Sequence, residues 1–136
     1  MHTTMDVSKA IEGLEVGVTT SAQVSGAAKL RALHREVVET MPKTEQQEIR
    51  VLFAKLEPGD RTPFHSHRFP VTVYVLQGAF TLELDGREPV TVKAGEVFVE
   101  PPRVRMTGRN LDAADPTSMV LFYVSNPDTP FADPAE

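Results

Sequence analysis

From residue 48 to residue 124 the chain alternates short apolar runs with turn residues. The runs are rich in β-branched and aromatic side chains, which favour strands. They cover residues 49–56, 71–76, 80–84, 90–92, 97–99, 104–109 and 118–124. The turns between them include Asp85-Gly86, a pair typical of tight β-hairpins. Seven or eight short strands at close spacing predict an all-β sandwich or barrel.

The N-terminal third shows no firm periodicity. Residues 29–39 fit an amphipathic helix, whereas residues 36–40 fit an extended strand equally well. Met41 ends either element, because a residue that precedes proline avoids the helical region. Three segments are therefore predicted: an N-terminal extension (1–47) that packs on the barrel, the barrel itself (48–125), and an irregular, proline-rich tail (126–136).

Composition narrows the possible partners and chemistries. A chain of 136 residues suits one domain. It contains no cysteine, which excludes disulfides, Cys-ligated metal clusters and thiol nucleophiles. The net charge is -5 and no basic stripe is present, so we expect no nucleic-acid partner. No apolar stretch reaches the roughly 18 residues of a membrane span, and the N-terminus lacks a signal peptide's apolar region. We expect a cytoplasmic protein without a membrane partner.

Two histidines carry the strongest chemical signal. His65 and His67 are two residues apart, so on a strand both imidazoles point to the same face. Imidazole is the commonest metal ligand, and its nitrogen suits Zn, Cu, Fe and Ni. Carboxylates in turns or at strand ends indicate no acid–base pair: Asp85, Glu88, Glu96 and Glu100.

The histidines lie in a segment that resembles the first motif of the cupin family. Five residues separate Gly59 from the His-x-His pair, and Gly78 ends the motif where the family has glycine. The family's glutamate position, four residues after the second histidine, holds Val71. The first motif is therefore present without its carboxylate.

A second segment resembles the second cupin motif. Gly95, Pro101 and Asn110 match it, whereas Arg103 stands at a glycine position and Met106 at the histidine position. The resemblance covers about residues 48–125. It implies a jelly-roll β-barrel, the cupin-like double-stranded β-helix, with a short, partly irregular N-terminal segment.

The resemblance also implies a metal site with an altered ligand set. His65, His67 and Met106 are the candidate ligands, and Val71 adds neither a donor atom nor a charge. A thioether is a soft ligand that favours Cu(I). One transition-metal ion (Cu, Zn, Fe or Ni, with a soft or borderline ion favoured) or no metal at all is expected.

Three functions follow from this resemblance. The first is a metal-dependent oxidoreductase of the dioxygenase type, or an isomerase, acting on a small organic molecule. The second is a metal-free cupin that binds a small molecule in an apolar barrel pocket. The third is a non-catalytic scaffold or regulatory protein. The predicted pocket-lining residues are Phe53, Val71, Val73 and Phe80.

Two further predictions concern contacts with other molecules. Arg68 is a candidate contact for an anionic substrate, with solvated surface as the alternative. Small cupins are commonly dimers, and the apolar segment 118–124 fits a homodimer interface. The sequence assigns no catalytic residue.

Overall fold

The computed structural model describes residues 26–136, so predictions for residues 1–25 lie outside the described residues. The chain divides into two compact units, Met1–Val37 and Val38–Glu136. The second unit therefore begins before the predicted barrel boundary at residue 48. Residues 26–47 form neither helix nor strand, so the element predicted within residues 29–40 is not formed. Its two valines and threonine are poor helix formers, and no strand of the described chain pairs with them.

The described residues form nine strands and no helix. The strands are β1 (Glu48–Leu56), β2 (His65–Ser66), β3 (Val71–Gln77), β4 (Ala79–Leu84), β5 (Val90–Lys93), β6 (Val97–Glu100), β7 (Met106–Arg109), β8 (Thr117–Ser125) and β9 (Asp133–Pro134). Their bounds match most of the strands predicted from the apolar runs. The all-β prediction is confirmed.

The strands form two sheets whose hydrogen-bonded pairs are antiparallel. One has the order β1-β8-β3-β6 and the other β5-β4-β7-β2-β9. The longest ladder joins β1 to β8 from Glu48↔Ser125 to Leu56↔Thr117. Both sheets contribute to one hydrophobic core, which includes Val73, Leu82 and Met106. The predicted jelly-roll architecture is the one observed.

Strand β1 alternates between a buried and an exposed face. Leu52, Ala54 and Leu56 face the core, whereas Phe53 is 66% exposed. The prediction that Phe53 lines the barrel interior is therefore wrong. Successive side chains of a strand point to opposite faces, and the even-numbered residues of β1 are the ones turned inward.

The outer face of β1 continues as an apolar surface onto β8. Val51 and Phe122 are paired across the ladder, and both are exposed. Ile49 and Phe53 lie on the same outward side of β1. The homodimer remains a prediction, for which this face is an apolar surface of the kind that mediates association. Within residues 26–136, no helix is long and apolar enough to cross a membrane.

Several motif positions adopt backbone conformations that favour glycine, among them Gly78 and Arg103. Gly78 has φ +74, and a Cβ there would lie 2.6 Å from the carbonyl oxygen of Pro116. Arg103 occupies the glycine position of the second motif and still has φ 60. Its N–H donates to the carbonyl oxygen of His67 at 2.6 Å. The second motif thus keeps the glycine conformation with a residue that adopts it at a cost.

An Arg103→Gly variant is expected to gain about 0.5 to 1 kcal/mol in its free energy of unfolding. Relief of the left-handed conformation, worth about 1 to 2 kcal/mol, exceeds the entropic cost of a new glycine, about 0.5 to 1 kcal/mol. Urea titration measures the difference. The matched control is Arg87→Gly, which lacks a positive φ and should lose stability. A loss in Arg103→Gly as large as in the control would contradict the prediction.

Candidate functional site

The structure brings the predicted ligands His65, His67 and Met106 to one place. His65 lies in β2, where its ladder partner on β7 is Met106. The ring centroids of His65 and His67 are 4.8 Å apart, with the rings nearly perpendicular. His67 is only 2% exposed and Met106 is fully buried. The group lies at the short strand β2, with His67 and Met106 turned into the barrel.

Backbone carbonyls orient both imidazole rings. Nδ1 of His65 is 2.6 Å from the carbonyl oxygen of Pro63, and Nδ1 of His67 is 2.6 Å from that of Phe131. A carbonyl oxygen only accepts hydrogen bonds, so each Nδ1 carries the proton. In a neutral ring Nε2 then keeps its lone pair. Metal-binding histidines are commonly oriented by such a contact.

A buried glutamate faces His67 from the opposite sheet. Glu100, at the end of β6, is 2% exposed, and its Oε1 lies 3.3 Å from Nε2 of His67. This oxygen accepts no hydrogen bond from the described residues. From the sequence Glu100 was placed at a strand end and in no acid–base pair, whereas the structure sets its carboxylate beside an imidazole. Such a buried pair is compensated when a proton or another cation lies between the carboxylate and the imidazole nitrogen.

Glu100 belongs to a row of side chains that crosses the four-stranded sheet. In the ladders Glu100 is paired with Val71, Val71 with Tyr123, and Tyr123 with Arg50. Paired residues point to the same face of a sheet. Tyr123 is fully buried, and its hydroxyl accepts a hydrogen bond from the N–H of Phe69 at 3.2 Å. Val71 therefore lies between a carboxylate and a phenol.

The C-terminal tail covers this group. The Phe131 ring centroid is 4.8 Å from that of His67 and 5.3 Å from that of Tyr123. Beyond it, β9 pairs with β2 through His65↔Pro134 and Ser66↔Asp133. The tail predicted as irregular thus contains a short strand, and its path determines access to His67.

Arg68 fastens this tail. Its Nε and one terminal nitrogen donate to the two carboxylate oxygens of Asp133, both at 3.1 Å. The hydrogen bond from Arg68 is the main cause that lowers the pKa of Asp133, and the same bond raises the pKa of Arg68. The candidate substrate contact is therefore engaged by the protein's own carboxylate, and its role toward a substrate stays a prediction.

The remaining predicted pocket residues lie in the core. Val71 and Val73 are fully buried and Phe80 is 3% exposed. The Phe80 ring fills the space above Gly108, where a Cβ would overlap it. These three residues face the interior as predicted, and a ligand cavity between them stays a prediction.

A metal ion in a protein needs several donor side chains within reach of one point. Within residues 26–136, no three His, Cys, Asp or Glu side chains are gathered closely enough to hold one. Two donors are nevertheless in place. Ligand bonds of about 2.0 to 2.2 Å set two donors of the same ion about 3.0 to 3.4 Å apart, which includes the 3.3 Å between His67 Nε2 and Glu100 Oε1. Two donors do not make a metal site by themselves, so a metal ion here stays a prediction.

The cupin domain model matches residues 52–123, more than half of the chain. The chain is a cupin. The matched range includes the two histidines, Glu100 and Met106, so the site belongs to the cupin barrel. No curated protein matches this cupin.

Solved structures share the fold. A cupin-like protein from Thermotoga maritima is 26% identical with a TM-score of 0.52, and 64% of each chain is covered. The DMSP lyase DddQ from Ruegeria pomeroyi is 18% identical with a TM-score of 0.54, over 60% of this cupin and 41% of the lyase. A double-stranded β-helix protein from Klebsiella pneumoniae is 17% identical with a TM-score of 0.55, over 80% and 99%. This cupin thus spans less than two thirds of the first two structures, and the lyase and the Klebsiella protein show the fold alone.

Proposed function

We propose that this cupin is a metal-dependent enzyme that acts on a small organic molecule, as an oxidoreductase of the dioxygenase type or an isomerase. The observation that carries the proposal is the buried pair of His67 and Glu100 beside His65. Removing a carboxylate and an imidazole from water costs free energy unless a partner compensates for it. A buried carboxylate and imidazole that face each other are candidate groups of a functional site.

In such a site, different side chains would bind the ion, exclude water and donate a proton. His65 and His67 would hold the ion, with Met106 as a neighbouring soft donor, and the bound ion would act as a Lewis acid toward a substrate oxygen. Phe131 and Tyr123 shield the site from water, which strengthens electrostatic interactions inside it. The Tyr123 hydroxyl accepts from Phe69 N–H and retains its own proton for donation to a substrate.

The substrate enters beside His65. This histidine is half-buried, whereas His67 and Glu100 are buried beneath the tail. The proposed partner is a small molecule, because Phe131 packs against His67 and narrows the approach to it. We expect access to widen when the ion pair of Arg68 and Asp133 opens.

Metal content tests the proposal. Untagged protein, purified without chelators, should contain close to one equivalent of a first-row transition metal by elemental analysis. The His65→Ala/His67→Ala variant should contain none, because both imidazole donors are gone. His34→Ala is the matched control, since His34 is exposed and bonded to Glu36.

The opposite result has a defined meaning. If the protein stays metal-free after incubation with Zn, Fe, Cu and Ni salts, the metal-dependent function is wrong. Full burial of Val71 and Met106 at two family ligand positions would then favour a metal-free cupin that binds an apolar ligand. Ligand-induced thermal stabilisation that survives chelation would identify that function.

A further inference from the structure

We infer that residues 131–135 form a strap that opens and closes over His67, and that its closure orients this imidazole. In the closed state the strap buries the ring and bonds one of its nitrogens. In the open state the ring meets solvent and is free to turn. The inference rests on the proposed function only in treating this motion as control of access to an active site, because the motion itself needs no metal ion.

The strap is held by few contacts, and these are open to solvent. Its residues are half-buried or exposed. Within it, β9 has two residues at the edge of its sheet, and Pro134 has no N–H to donate to β2. The side chains of Arg68 and Asp133 are 42% and 33% exposed, and an exposed ion pair contributes little stability. A segment with so few buried contacts opens locally while the rest of the protein stays folded.

The chain just before the strap is firmly held. Thr129 is 7% exposed, and its N–H and hydroxyl both donate to the carbonyl oxygen of Asn126, at 3.2 and 2.8 Å. Its own carbonyl oxygen accepts from the guanidinium of Arg50 at 2.6 Å. The next residue, Pro130, is exposed. The change from a buried, bonded residue to a loosely held segment places the hinge between Thr129 and Phe131.

Closure of the strap determines which nitrogen of His67 carries the proton. The carbonyl oxygen of Phe131 accepts from Nδ1 at 2.6 Å, and the Phe131 ring packs 4.8 Å from the imidazole. The hydrogen bond to one ring nitrogen sets the tautomer of a neutral imidazole. Because one strap residue supplies both contacts, opening removes them together. Phe131 is therefore a positioning residue for His67.

A disulfide that can be made and broken tests the strap within one protein. Ser66 and Asp133 are directly paired between β2 and β9. Paired residues of an antiparallel ladder have Cα atoms about 4.5 to 5.5 Å apart, a separation that a disulfide spans. The chain has no cysteine, so Ser66→Cys/Asp133→Cys forms a single bridge. Oxidation locks the strap, whereas the reduced form lacks the carboxylate that bonds Arg68.

Two readouts follow His67 in both forms. The first is its rate of modification by diethyl pyrocarbonate, located by mass spectrometry in buffer with EDTA so that no bound ion protects the ring. This rate follows the population of the open state, and it should be at least about tenfold lower in the oxidised form. The second is the nitrogen chemical shifts of the ring. They should report the Nδ1–H tautomer in the oxidised form and a mixture of tautomers in the reduced form.

Two controls separate the strap from general effects. His65 is bonded to the carbonyl oxygen of Pro63, outside the strap, so its tautomer should be the same in both forms. Wild type should give the same result with and without reductant, and thermal unfolding confirms that each form of the double variant is folded.

A single substitution tests the strap without a disulfide. Asp133→Asn breaks the ion pair with Arg68 and should speed the modification of His67 about two- to fivefold, the range for loss of an exposed ion pair. Glu83→Gln is the matched control, because it breaks a similar pair with Arg109 away from the strap. Its rate should equal that of wild type.

The contrary results are specific to the strap. If His67 is modified equally fast in the oxidised and reduced forms, or keeps one tautomer in both, the inference is overturned. Equal rates in Asp133→Asn and Glu83→Gln would also contradict it, because the ion pair would then not hold the strap. These measurements are made without metal. A failure of the metal-dependent function, seen as absence of metal from the purified protein, is therefore distinguishable from a failure of the strap.

Discussion

A Gly108→Ala variant is expected to lose about 2 kcal/mol of its free energy of unfolding. The new methyl group would overlap the far end of the Phe80 ring, which is buried between the sheets. Strain from a methyl group added to a packed core costs about 1 to 3 kcal/mol. The backbone of Gly108 does not have a positive φ, so the loss comes from packing alone.

A double-mutant cycle in urea isolates this contact. Phe80→Ala alone should cost about 3 to 5 kcal/mol. In Gly108→Ala/Phe80→Ala the added methyl group lies in the space that the ring has left, so the combined loss should be at least about 1 kcal/mol smaller than the sum of the two. Additive losses would show that the overlap with Phe80 is not the cause.

An Asn110→Leu variant is expected to lose about 3 kcal/mol. Asn110 is 1% exposed, and its Nδ2 donates to the carbonyl oxygens of Leu56 and Asp115 at 3.1 and 2.9 Å. Its Oδ1 accepts from the N–H of Asp112 at 3.0 Å. Leucine has nearly the same size but makes none of these bonds. Each buried partner left unpaired costs about 1 to 3 kcal/mol.

Chemical denaturation measures the loss, and a neighbouring substitution controls for it. Asp112→Asn retains the Oδ1 that accepts from Ala114 and Asp115, and it is exposed. Its stability should stay within about 0.5 kcal/mol of wild type. Equal stability of Asn110→Leu and Asp112→Asn would mean that the amide does not tie this loop to β1.

The strands and the motif glycine were predictable because local rules determine them. The alternation in residues 80–84 has the period of a half-buried strand, and β4 covers that run. Gly78 needs a left-handed backbone with a carbonyl nearby, a requirement visible in the motif. In β1 the alternation rule could not show which residues face the core, because both faces of residues 49–56 carry apolar side chains. The direction of Phe53 therefore depends on which face meets the core.

From the sequence, only those residues of the candidate site that are close together along the chain were predictable. His65 begins β2 and His67 directly follows its last residue, and the two-residue spacing brings the two rings together. Glu100 and Tyr123 join them through the registers of β6 and β8 against β3, and no local pattern encodes a register between distant segments. The sequence carried one weak signal for Glu100, which ends the apolar run 97–99. Because it lies two residues after Phe98, the two side chains should point to the same face of the strand. Strand β9 has only two residues, too few for any periodicity.

The ladder between β1 and β8 also sets the order in which the barrel assembles. Its nine pairs join segments separated by most of the barrel chain. Contacts so distant in sequence form late, since the loop between them must close first. Proteins dominated by such pairings fold in milliseconds to seconds rather than microseconds. During that interval the apolar outer residues of β1 lie on an unpaired strand that can associate with other chains, so refolding yield should fall as the protein concentration rises.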